Sequence, residues 1–142
     1  MSIAEKMNPY LSDLVVMFSK LHDLHWNVKG MQFMPVHQYT EERYHEMADK
    51  IDAVAELMIM QGEKPVTGLK NYLDIAAIQE PDKGTYGDME VLEILCKDLE
   101  HLRAEALDIH DHCADHFTVV TMMEEHIAGY DKQIWFLKSM MA

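Results

Sequence analysis

Cysteine is scarce in this chain of 142 residues: there are two, Cys96 and Cys113, and no CxxC pair. That excludes a disulfide-built miniprotein and a dithiol redox motif, and it points to a reducing cytoplasm. Glycine (6) and proline (4) are also few, which leaves long stretches with no backbone breaker. Basic residues are outnumbered, 12 Lys and Arg against 25 Asp and Glu, for a formal net charge of −13. Affinity for phosphate backbones comes mainly from Lys and Arg, so DNA binding is not expected and cations are the favoured partners. No apolar run reaches the ~20 residues of a membrane span. The opening MSIAEKMNPYLSDLV has no basic n-region, long apolar core or small-residue cleavage site, so no secretory signal is expected. Also missing are a Gly-rich phosphate loop, a GxSxG turn and the second histidine that would complete HExxH after His45-Glu46.

What is present is helical periodicity, nearly throughout. The composition, 49% hydrophobic and 26% charged, is that of a globular chain, and the length suits a single domain over residues 1–142. Asn8-Pro9 reads as a helix start. Leu11, Leu14, Val15, Phe18, Leu21 and His25 then form one stripe, ended by Gly30. Pro35 opens a second helix carrying Tyr44, Met47, Ile51, Val54 and Met58 and stopping at Gly62. From Gly62 to Gly87 the chain holds Pro65, Gly68, Pro81 and Gly84 around a short helical stretch, LKNYLDIAAI. A connection of that length suits a crossover between parallel helices. A third helix carries Val91, Leu95, Leu99, Leu102, Ala106 and Ile109. After the polar break HDHCADH, a fourth carries Val120, Met123, Ile127, Tyr130, Ile134, Leu137 and Met141. No strand-like alternation of useful length occurs. The expected fold is all-α: a four-helix bundle with a short extra helix in the long crossover between helices two and three.

With nucleophile and phosphate motifs absent, the remaining chemistry lies in histidines and carboxylates on helices. Asp52 and Glu56 form an i, i+4 pair, suited to a hard or borderline cation such as iron or manganese, although such pairs usually mark a solvated face. His25 ends the first apolar stripe beside Trp26, and His37 sits near the start of the second helix with Glu41 one turn on. Each histidine alone reads more readily as a packed core residue than as a ligand, and His22 as core or as a support to His25. His110, Asp111, His112, Cys113, Asp115 and His116 form another cluster. It reads as a polar link between helices, or as a zinc- or nickel-type site if the helix continues to align His112 with His116. The thirteen methionines read as core filler.

The combination says more than its members. The segment LHDLHWNVKGMQFMPVHQYTEERYHEMADKIDAVAELMIMQGEKP, Leu21 to Pro65, resembles the ferroxidase signature of the Dps family, the mini-ferritins of the ferritin-like superfamily. The matching pieces are His25-Trp26, Asn27 and Gly30, His37 twelve residues after His25, Asp52 fifteen after His37, and Glu56 four beyond. LKNYLDIA resembles the family's crossover helix and YDKQIWFLKS its last helix. The resemblance implies a ferritin-like bundle in which His25, His37, Asp52 and Glu56 bind iron. Glu41 is an auxiliary carboxylate at a position where the family often has Asp. It further implies Fe(II) oxidation with hydrogen peroxide preferred over oxygen, ferric mineral stored in a hollow dodecamer, and protection against peroxide. Acidic pores are also implied, with Asp111, Asp115, Glu124 and Glu125 as candidates, although HFTVVT is poor in the acids usual there.

Geometry adds a constraint. Fifteen residues at 1.5 Å rise put His37 and Asp52 roughly 22 Å apart on one helix, whereas metal–ligand bonds are about 2.0–2.2 Å. If all four residues bind one site, two come from each of two subunits, and a two-fold pairing makes two equal sites per dimer. A site inside the bundle, as in ordinary ferritins, needs Glu-x-x-His on two helices. Glu42-x-x-His45 supplies one, but Glu124-Glu125-His126 has the wrong spacing. The rival reading of the same residues is a zinc-type helical oligomer that holds an inert ion without turnover.

Overall fold

The computed structural model describes residues 2–142, with helix α1 at Ile3–Asn27, strand β1 at Val28–Lys29, α2 at Phe33–Met60, α3 at Leu69–Ile75, β2 at Tyr86–Gly87, α4 at Asp88–His112 and α5 at Phe117–Met141. The helical periods therefore fold as four long helices and one short one. Among the described residues no helix is long and apolar enough to cross a membrane.

The expected start of α1 at Asn8-Pro9 is corrected. The helix begins at Ile3, where the Ser2 hydroxyl accepts the Glu5 amide at 3.2 Å, and Pro9 lies inside it. An earlier cap outcompetes the proline, whose missing N–H forfeits one bond of the second turn. Asn8 serves tertiary structure instead. Its Nδ2 donates to the Lys64 carbonyl at 3.3 Å and its Oδ1 accepts the Val66 amide at 2.9 Å. Five residues on, the fully buried Asp13 accepts the Ala77 and Ile78 amides on Oδ1, at 2.7 and 2.8 Å. These bonds explain why the short helix stops at Ile75 rather than continuing through Ile78: the next amides are bound to α1.

α1 packs on α2 and α4 on α5, with α1 also against α4. The absence of strands expected from the sequence needs one amendment. Val28 pairs with Tyr86 and Lys29 with Gly87 in a parallel ladder of two residues. It is too short to leave an alternating pattern, yet it fixes topology. β1 lies just before α2 and β2 just before α4, so both helices start at the same end of the bundle and the crossover joins parallel helices. The core fills from apolar stripes such as Met7, Leu11, Leu14, Met17, Leu21 and Leu24 on α1, all fully buried. Met47, Met58 and Met123 join it, as filler methionines should.

One buried polar knot joins α1 to α5. The Tyr10 hydroxyl lies 2.8 Å from His126 Nδ1 and 2.5 Å from the Tyr130 hydroxyl. Burial, and then the nearby Lys50 ammonium, pushes the His126 pKa down to about 4. Unfolded histidine titrates near 6.5. Between those values the unfolded chain binds the extra proton, so stability is complete above pH 6.5 and falls as the pH drops toward 4. The loss reaches up to about 3 kcal/mol per subunit. Denaturant unfolding at pH 7 and 4.5, at fixed protein concentration, is expected to show a weaker acid dependence in His126→Gln than in wild type. Equal pH dependence would remove His126 as the cause.

Candidate metal centre

Two candidate ligand groups, each a candidate half-site, stand apart along α2, the first shared with the end of α1. The first is made where α1 turns into α2. Gly30, at φ +127°, reverses the chain, its carbonyl accepting the Phe33 amide at 3.1 Å. The Asp88 carboxylate, from the first turn of α4, accepts the Gln32 amide at 2.8 Å and braces the turn. This brings the last turn of α1 against the second turn of α2. His25 and His37 stack with ring centroids 3.7 Å apart and planes 10° from parallel.

Their hydrogen bonds are reciprocal. His25 Nδ1 lies 2.7 Å from the His37 carbonyl, and His37 Nδ1 lies 2.8 Å from the His25 carbonyl. A carbonyl only accepts, so each Nδ1 carries a proton, and in the neutral ring Nε2 is left with the lone pair. This is the arrangement that orients a metal-ligating imidazole. His25 is buried, and burial lowers its pKa, which keeps the ring neutral and able to ligate at neutral pH. Its Nε2 lies 3.8 Å from Glu41 Oε1. Phe33 stacks on His37 at 4.9 Å and Tyr44 meets His25 edge-on at 5.3 Å. His22 bonds the Phe18 carbonyl in its own helix at 2.8 Å and stacks on Tyr44 at 3.9 Å, so it packs the wall of the site.

The second half-site is the exposed pair Asp52 and Glu56, one turn apart, in a shallow cleft with Asp49, Met60 and Met122. A hydrogen bond in which Glu56 holds the proton and Asp52 accepts, followed by the repulsion of the Asp52 charge, raises the Glu56 pKa. The two carboxyls thus compete for charge, and a cation relieves that competition. The structure brings His25, His37 and Glu41 together, and Asp52 and Glu56 together. It does not bring the two groups to each other within the chain, because α2 runs unbroken between them. Large apolar side chains lie exposed beside both: Trp26 and Met34 near the histidines, Ile59 and Met60 near Glu56.

Glu42 and His45 are both exposed, so the Glu-x-x-His motif faces away from the bundle interior. α4 ends at His112 and His116 caps α5, so these two histidines do not share a helix and the aligned i, i+4 metal pair is overturned. His110 instead links α4 to α5, lying 3.0 Å from Asp111 and 3.3 Å from Glu124. Sequence reasoning missed a third group. Asp13, His101 and Glu105 place one ligand atom each within 4.8 Å of one another. The i, i+4 spacing of His101 and Glu105 was a usable signal; Asp13, hidden inside the apolar stripe of α1, was not.

The ferritin-like domain family matches residues 4–142. The chain is 34% identical over 142 residues to DNA protection during starvation protein 2 of Bacillus anthracis, covering 96% of this chain and 94% of that one. The chain belongs to the Dps family of ferritin-like proteins. The DNA protection during starvation protein of Helicobacter pylori is 31% identical over 134 residues, with 92% of each chain covered. Among solved structures, a Dps protein from Bacillus brevis superposes with a TM-score of 0.93 at 30% identity, over 99% of this chain and 95% of that one. The Dps fold thus accounts for the bundle and for the short helix in its crossover.

The Gly30 turn sets the histidine geometry, and it tolerates no side chain. A Cβ there would lie 2.5 Å from Asp88 Oδ2, on a backbone that L residues rarely adopt. Gly30→Ala is expected to cost about 1–3 kcal/mol and to weaken anaerobic Fe(II) binding, read from the unfolding midpoint and an Fe(II) titration. Wild-type values for both would show that something other than this turn holds the pair.

Proposed function

We propose that this Dps-family protein is a ferroxidase and iron store whose catalytic sites lie between subunits. The reciprocal His25–His37 clamp carries the reading: it spends both Nδ1 atoms on backbone carbonyls and leaves two Nε2 lone pairs with no acid except Glu41 close by. Asp52 and Glu56 supply the missing carboxylates, and they do so from a two-fold partner, since α2 separates them from the histidines of their own chain. Two such sites form per dimer. The apolar side chains flanking both half-sites, Trp26 and Met60 among them, supply contact area for that pairing.

Iron is the substrate. Two imidazoles and two or three carboxylates make a donor set for Fe(II), and the carboxylates favour the harder Fe(III), so coordination promotes the loss of an electron. With hydrogen peroxide as oxidant, two Fe(II) give up one electron each. One peroxide takes both electrons and two protons, its O–O bond breaks, and two waters form without hydroxyl radical. Ferric product is stored as mineral inside a hollow dodecamer in the cytoplasm, which removes both Fenton reactants.

The test uses two inactive variants. His25→Ala/His37→Ala and Asp52→Ala/Glu56→Ala are each expected to lose peroxide-dependent Fe(III) formation. Dissociated and reassembled together, they recover about one quarter of the wild-type sites, because half the dimers are mixed and each mixed dimer has one intact site. A mixture that stays inactive while assembling normally would place the site elsewhere. Zinc binding with iron oxidation no faster than in buffer would favour the inert-ion reading.

DNA binding is not part of the proposal. Of the twelve Lys and Arg residues, Lys6, Lys20, Arg43, Lys83, Arg103 and Lys138 are already paired with carboxylates. A gel shift at low salt is expected to show free DNA at submicromolar protein, and retarded DNA would overturn this.

A further inference from the structure

We infer that Asp13, His101 and Glu105 form a second cation site, inside a single subunit, that takes a borderline divalent ion of the zinc class. Their ligand atoms lie within 4.8 Å of one another. Donors around one ion at 2.0–2.2 Å fall roughly 3–4.3 Å apart, so small side-chain rotations suffice. His101 Nε2 stands 2.9 Å from Asp13 Oδ2 and 3.3 Å from Glu105 Oε1, and is the natural centre of the set.

Three further observations point to a ligand rather than to a closed hydrogen-bond network. Glu105 Oε1 is enclosed from solvent and makes no hydrogen bond. Asp13 is oriented in advance: its Oδ1 is held by the Ala77 and Ile78 amides, which leaves Oδ2 directed at His101, as an outer shell directs a metal ligand. A further carboxylate stands beside the imidazole: Asp98, held by the Lys20 ammonium at 2.6 Å, lines the cleft next to His101.

Access exists as well. A cleft of about 350 Å³ between the crossover and α4, lined by Lys20, Ile78, Asp98 and His101, opens beside the imidazole, whose side chain is 38% exposed. Water from this cleft can complete the coordination. One nitrogen and two oxygens exclude thiophilic ions and disfavour calcium and magnesium, which take all-oxygen shells. The ion would join α1 to α4 at the residue that also anchors the crossover, so its role is to clamp the subunit. The site shares no residue with the inter-subunit centre and stands whether or not that proposal holds.

Zn²⁺ is the probe, and the starting protein is His25→Ala/Asp52→Ala, which disables the other centre. After gel filtration in zinc-free buffer this variant is expected to retain one Zn²⁺ per subunit and to unfold several degrees higher than its metal-stripped form. Adding Glu105→Gln or His101→Gln should weaken zinc binding at least tenfold and abolish the shift. Because a variant can fail to fold, anomalous scattering from zinc-soaked crystals of the unaltered protein gives a second reading, with a peak expected between Asp13, His101 and Glu105. No peak there, no retained zinc, or retention unchanged by both substitutions overturns the site.

Discussion

The length of α2 governs how this protein can handle a metal. A continuous helix of 28 residues carries His37 near one end and Asp52 and Glu56 toward the other. A helix does not bend back on itself, so the roughly 22 Å set by helical rise cannot be closed within the subunit. Each half is nevertheless well formed. The histidines are stacked and bonded to backbone, burial keeps His25 neutral, and the hydrogen bond to Asp52 and its charge raise the Glu56 pKa. Chemistry that needs both halves must be quaternary. A four-helix bundle can bury ligands within itself, yet here the Glu-x-x-His of α2 points outward, and the bundle interior near α5 is occupied by Tyr10, His126 and Tyr130.

α1 connects everything that α2 separates. Four of its polar side chains each hold a different part of the chain. Asn8 takes the start of the crossover, Asp13 its far side, Tyr10 the last helix and His25 the second. Each would be costly to bury unsatisfied, and each is satisfied across a sequence separation that ranges from twelve residues for His25 to 120 for the Tyr10–Tyr130 contact. The apolar stripe makes α1 stick; these polar bonds decide against which element, and in what register.

This division explains what was legible. Helices declared themselves through period, and the half-sites through residue type and spacing, because both depend on neighbours three or four positions away. The Dps resemblance then joined His25 to His37 and Asp52 to Glu56. The start of α1 was misjudged because Asn8-Pro9 carries the local chemistry of a cap, while the side chain of Asn8 is bound to Lys64 and Val66. The pairing of Val28 with Tyr86 left no trace, since two residues make no alternation. Asp13 was invisible for a related reason: its partners at Ala77, Ile78 and His101 come from loop closures that no local pattern records.

The unequal burial of the two half-sites has an energetic consequence for the proposed assembly. His25 is enclosed and held by backbone, so little ordering remains to be done when an ion arrives. Asp52 and Glu56 are exposed, so they must be ordered on binding, and the Asp52 hydrogen bond and charge that raise the Glu56 pKa must be offset by the ion. An ion that requires both halves then binds tightly only where two subunits are already docked. By linkage it strengthens that docking by the same free energy. Iron loading and subunit association become one equilibrium. On that proposal an isolated subunit, whose two halves stand roughly 22 Å apart on one helix, would have little hold on Fe(II), and oxidation would be confined to assembled protein.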